Sequence, residues 1–128
     1  MTSRSKVTES VMMRLYEWWK KPETTGDLLA LVAPDVVWDR GLSGFKGEDM
    51  LWWVAQKPPW VSMRIIESIV ADTRGVLVFE GTDTATGLRH RVAWLLEVEN
   101  ERVARVLETN ARVEQQETAG DGTESEDS

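Results

Sequence analysis

Cysteine is absent from the 128-residue chain, which excludes disulfides and thiolate metal sites, and its single histidine leaves too few ligands for zinc. No metal and no cofactor is therefore expected. No apolar run approaches the roughly eighteen residues that a membrane-spanning helix needs. The opening MTSRSKVTES has no apolar stretch behind its basic residues, so no secretory signal is read there and a cytoplasmic location is expected. Positive charge is also scarce. The net charge is −7, and Glu114, Glu117, Asp121, Glu124, Glu126 and Asp127 crowd the last fifteen residues without a lysine or arginine. The first 113 residues are thus near −1 and offer no basic stripe to a phosphate backbone, so no nucleic-acid partner is expected. The end, EQQETAGDGTESEDS, lacks large apolar side chains and is expected to be a disordered, solubilising tail (114–128) behind one domain (1–113).

Tryptophan is what the chain has in excess, seven of its ten aromatic residues. Each indole buries a large area while its N–H seeks an acceptor. In one small domain, some of them are expected to line a cavity or an interface.

The spacing of Val7, Val11, Leu15 and Trp18 or Trp19 predicts an amphipathic helix from Val7 to Lys20, ended by Pro22. A shorter helix from Thr25 to Val32 follows and stops at Pro34. Asp35–Trp38 reads as a short strand, Phe45-Lys-Gly47 as a turn, and Glu48–Gln56 as a third helix ended by Pro58-Pro59. From Trp60 the period becomes that of strands: Val61–Ala71, Val76–Thr82, Leu88–Val98 and Arg102–Val113, joined by short turns as an antiparallel meander. His90, Val92, Trp94, Leu96 and Val98 alternate onto one face. Helices gathered before such a sheet pack on one face of it, and a long twisted meander wrapped around them leaves a conical cavity.

Three strings carry a family resemblance: Gly26-Asp-Leu-Leu-Ala-Leu-Val-Ala-Pro-Asp-Val-Val-Trp-Asp39, Gly44-Phe-Lys-Gly47, and Leu96-Glu-Val-Glu-Asn-Glu-Arg-Val-Ala-Arg-Val-Leu107. Over about Val7 to Val113 the chain resembles the SnoaL-like, ketosteroid-isomerase-like branch of the nuclear transport factor 2-like superfamily. The resemblance implies an α+β fold, a cone-shaped curved antiparallel sheet wrapped around N-terminal helices, and a homodimer formed through the outer face of the sheet. Arg64, Glu80, Arg89 and Arg91 are candidates for that face. Function is less constrained, because the fold hosts isomerases, polyketide cyclases, epoxide hydrolases and plain binding proteins. Against the isomerases, Asp39 falls where the proton-shuttling aspartate stands, Tyr16 near the oxyanion-hole tyrosine, and Trp94 where a protonated acid is expected. Against the limonene-epoxide hydrolases, Asp83 matches the first acid, Gly81 replaces the arginine, Glu108 replaces the second acid, and Trp38 and Arg40 stand for the tyrosine and asparagine.

Each candidate has a bland reading beside the functional one. Asp39 is either a desolvated base beside Trp38 or a loop acid paired with Arg40. His90, the residue type best suited to proton exchange at neutral pH, is either in the cavity with Trp94 or at a strand end in water. Tyr16 is either an oxyanion donor or core. Glu108 is expected in solvent beside Arg105, on the general rarity of buried glutamate, with entry into the cavity as the alternative. Asp83 is most simply a turn residue. Trp38, Trp52, Trp53, Trp60 and Trp94, with Arg40, are the expected substrate contacts. The expected activity is cofactor-free acid–base chemistry on a small, bulky, apolar organic molecule such as a polyketide of secondary metabolism: cyclisation, isomerisation or epoxide opening. The alternative is a non-catalytic binding or self-resistance protein using the same cavity.

Overall fold

The computed structural model describes residues 3–20, 25–39, 44–46 and 58–113. The third helix, Arg40, Trp52, Trp53 and the acidic tail lie outside the described residues. Helix α1 (Arg4–Lys20) buries Thr8, Val11, Met12, Leu15, Tyr16, Trp18 and Trp19, a broad stripe at helical spacing that takes in both adjacent indoles. Ser3 caps it, its Oγ accepting the Lys6 N–H at 3.2 Å. Helix α2 (Thr25–Leu31) is one residue shorter than expected, because Val32 already belongs to the sheet.

The sheet contains β1 (Val32–Asp39), β2 (Gly44–Lys46), β3 (Trp60–Ala71), β4 (Arg74–Asp83), β5 (Arg89–Glu99) and β6 (Arg102–Arg112), in the order β2-β1-β6-β5-β4-β3. The β3-to-β6 meander matches expectation. Three details correct it. Strand β1 begins before Pro34, and its pairing with β6 is irregular between Val32 and Val37, where proline offers no N–H to the ladder. That pairing is parallel, which makes the sheet mixed. The stretch read as a turn at Phe45 is strand β2, antiparallel to β1.

Curvature has visible causes. Register shifts between Val61 and Arg64 and between Ile65 and Glu67 bend β3, with Ser62 at a φ of 54°. The sheet thereby closes over α1, which touches β3, β4, β5 and β6. Two glycines permit close approach: a Cβ at Gly75 would stand 2.8 Å from Met12 Sδ, and one at Gly81 would stand 2.8 Å from Trp60 Cε3. At the narrow end, Thr8 donates to the Asp72 carbonyl (2.7 Å) and Ser5 Oγ accepts the Asp72 N–H (3.1 Å), tying α1 to the β3–β4 turn.

Candidate functional site

Alternation decides which side chains enter the cone. On β5, Val92, Trp94, Leu96 and Val98 are buried, as expected. On β1, Val36 and Trp38 point inward, while Val37 and Asp39 are half-buried on the other face. Asp39 pairs with Leu107, which is exposed, and it lines an outer groove of about 490 Å³ with Val37, Arg74, Leu95, Glu97 and Arg105. Because strand side chains alternate, one residue of offset exchanges faces, and the inward place belongs to Trp38. The structure does not bring Asp39 together with Tyr16, His90 or Trp94.

Glu108 is the acid inside, at 2% exposure, so the expectation of a solvated carboxylate is overturned. Its Oε1 accepts the Trp38 Nε1–H at 2.8 Å and the Trp94 Nε1–H at 3.3 Å. Trp94 is its cross-strand partner and Trp38 arrives from β1 on the other side of β6. A buried acid in apolar surroundings must be hydrogen-bonded, and the two indoles supply that satisfaction.

The rings around it interlock. Trp19 stacks on Trp38 (5.8 Å between centroids, 19°) and meets Trp94 edge-on at 5.3 Å. Phe79 sits 4.8 Å from Trp94, and Tyr16 packs on Phe79 at 5.2 Å. Trp38, Phe79 and Trp94 are fully buried. Their surfaces meet other side chains, not a water-sized void, so the expectation that Trp38 and Trp94 line open space is corrected. Burial, and secondarily the neighbouring Glu17 charge, raises the pKa of Tyr16 above its ordinary value.

Toward the wide end, Trp60 joins this cluster to its surroundings. It meets Trp19 edge-on at 5.7 Å and stacks on His90 at 5.3 Å and 22°. His90 Nδ1 lies 3.0 Å from Asn110 Oδ1. Asp83 has the turn role of the bland reading, its Oδ1 accepting the Ala85 N–H at 2.8 Å. Sequence reasoning missed Asn110, Trp19 and Phe79 as parts of this assembly. The available signal was their spacing: Asn110 lies two residues from Glu108, and Phe79 alternates with Leu77. Among the described residues no group of three His, Asp or Glu side chains is placed to hold a metal, and no helix is long and apolar enough to cross a membrane.

The chain matches no protein-family model and no curated protein. Solved structures do match. A Kribbella flavida protein provisionally assigned as a ketosteroid isomerase superposes with a TM-score of 0.76 at 16% identity, over 97% of this chain and 95% of that one. An LEH-like epoxide hydrolase from M. tuberculosis gives 0.74 at 10% identity, over 87% and 83%. A provisionally assigned SnoaL-like polyketide cyclase from Jannaschia sp. CCS1 gives 0.71 at 11%, over 86% and 89%. Likeness at such identities establishes architecture: this chain has the nuclear transport factor 2-like fold.

Proposed function

We propose that the chain binds a bulky apolar organic molecule at the wide end of its cone and performs cofactor-free proton transfer on it, with Glu108 as the group that takes and returns the proton. One observation carries this reading: the carboxyl is buried in an aromatic shell and oriented by two indole N–H groups. Removing a carboxyl from water is costly, so a buried one held by oriented donors calls for an explanation. Asp39 is set aside because it faces the opposite side of the sheet. Tyr16 is the donor for charge developing on the guest, since the single Trp94 N–H is given to Glu108, and His90 is a second proton-exchanging group at the mouth. Isomerisation, cyclisation and epoxide opening all fit this set, and the fold's other bearers include proteins assigned to each. The guest enters beside Trp60 by displacing packed rings. A second copy of the chain is proposed to cover the outer face of the sheet.

The interlocking of Trp19, Trp38 and Trp94 favours a second reading, in which Glu108 is a structural acceptor and the cone only binds. Glu108→Gln distinguishes the two. Against a panel of epoxides, β-keto compounds and steroidal enones, binding followed by Trp fluorescence is expected to stay within about tenfold of wild type, roughly 1.4 kcal/mol. Turnover is expected to fall by roughly 100-fold or more. Turnover by the variant at the wild-type rate removes Glu108 from the chemistry.

A further inference from the structure

At the mouth of the cone, two contacts constrain His90. Its ring face lies against the Trp60 indole, and its Nδ1 edge lies 3.0 Å from Asn110 Oδ1. Rotation about the last side-chain bond is therefore limited by stacking, and the choice of edge by a polar neighbour. An amide oxygen only accepts, so Nδ1 must carry the proton for this contact to be a hydrogen bond. A free neutral imidazole prefers its proton on Nε2, so the contact selects the less common tautomer. The Nε2 lone pair is then left as the acceptor, on the ring edge turned away from β6.

The surroundings favour that arrangement. The β4 register partner of His90 is Gly81, which adds no side chain, and the space over it is taken by Trp60 and Met63. Arg89 and Arg91, its neighbours along β5, are engaged elsewhere: Arg89 donates to the Ser62 carbonyl and Thr82 Oγ1, and Arg91 to Glu80. Arg112 is its partner on β6. Along the inner face, Trp94 and its partner Glu108 lie four residues farther down β5 from His90, roughly 13 Å at strand rise.

We infer that Asn110 is a positioning residue: it accepts from Nδ1, holds His90 in the Nδ1–H form, and so presents Nε2 as a proton acceptor at the mouth. This rests on the acid–base reading above and sharpens it. The guest it implies is an elongated apolar molecule with a hydroxyl or other acidic hydrogen at the end that stays near the mouth, while its reacting centre lies deeper, by Glu108.

Nitrogen chemical shifts of His90 in uniformly 15N-labelled protein read the tautomer without any substrate. As the only histidine in the chain, it gives one unambiguous pair of ring signals. Wild type is expected to be mainly Nδ1–H at a pH where the ring is neutral. Asn110→Leu is expected to move the tautomer ratio toward Nε2–H by roughly two- to tenfold, the worth of one partly exposed hydrogen bond. Asn110→Asp, which keeps an acceptor, is expected to retain the wild-type ratio. Mainly Nε2–H in wild type, or an unchanged ratio in Asn110→Leu, overturns the inference. Neither outcome depends on turnover, so the assignment of Glu108 stands or falls separately. With a turned-over panel compound, Asn110→Leu is expected to lower kcat roughly tenfold with little change in KM, and Asn110→Asp to restore it. Equal kcat in all three proteins would also overturn it.

Discussion

At the scale of the residue, Glu108 concentrates the interest of this protein. One carboxylate oxygen serves two buried indoles, so replacing the acid alone strands two donors at once. Glu108→Leu is expected to destabilise the fold by roughly 2–5 kcal/mol, since each buried donor deprived of its acceptor costs about 1–3 kcal/mol. Glu108→Gln, which keeps an oxygen in place, should cost about 1 kcal/mol. Chemical denaturation of both variants checks the ordering, and a Leu variant as stable as the Gln variant would mean that the two N–H groups find other partners. The expectation of a solvated Glu108 rests on the general rarity of buried glutamate, and strand alternation does not correct it. Alternation counted from buried Val103 carries Arg105 and Leu107 inward and Glu108 outward. A register shift opposite Glu97 and Val98 adds one residue to β6 and reverses the phase, so Val106 and Glu108 turn in. Asp39 illustrates the same sensitivity, since a position one residue from the inward one is on the wrong side of a strand.

At the scale of the element, the outer faces of β3, β4 and β5 are joined by one acid among three arginines. Glu80, 4% exposed, accepts from Arg91 Nε at 2.9 Å and lies 3.4 Å from the Nε atoms of both Arg64 and Arg89. The Arg91 hydrogen bond is the main cause that lowers the Glu80 pKa below 4.5; burial opposes it, and the Arg91 and Arg64 charges add to it. A carboxyl with a depressed folded-state pKa binds a proton more readily when unfolded. Its contribution is therefore complete above the unfolded value and is lost as pH falls through the folded one. Thermal unfolding followed from pH 6 down through the acid range should show wild type losing stability more steeply below about pH 4.5 than Glu80→Gln, which has no proton to take up. Parallel curves for the two proteins would mean that the cluster is solvated equally in both states. The family resemblance offered these four residues as candidates for the outer face, and the structure gathers them there; the β4–β5 register runs without a shift past Glu80, Arg89 and Arg91, whereas Arg64 stands between two register shifts of β3. The sequence reading could not give the parallel β1–β6 contact, which depends on where the chain returns after α2 and not on any local pattern. The β5–β6 turn was legible as a tight connection. Asn100 and Glu101 both take positive φ (52° and 63°), the two-residue geometry whose twist suits adjoining antiparallel strands.

At the scale of the whole molecule, the described residues give the sheet two faces of different character. The inner face is filled by α1 and the aromatic cluster. The outer face carries Leu95 at 45% and Leu107 at 43% exposure, paired across β5 and β6, with Ile69 at 55% on β3. Charges border this apolar centre: the Arg74–Glu97 pair at 3.4 Å on one side, and the Glu80 arginine cluster on another. An apolar centre with a polar rim is the composition of a protein–protein interface, and a second copy of this chain is the partner proposed for it. A standard interface takes about 800 Å² from each partner, close to a tenth of the 7387 Å² this chain exposes. Light scattering at tens of micromolar is expected to give twice the chain mass. The Leu95→Lys, Leu107→Glu double variant should give a single mass with its far-ultraviolet spectrum unchanged, since both side chains point away from the core. Opposite charges are chosen so that the two new residues, being cross-strand neighbours, attract within one copy while placing buried charge against the apolar patch of the other. A wild-type protein that remains a single chain at those concentrations would leave the face to solvent. A double variant that still dimerises would place the contact at another surface of the molecule.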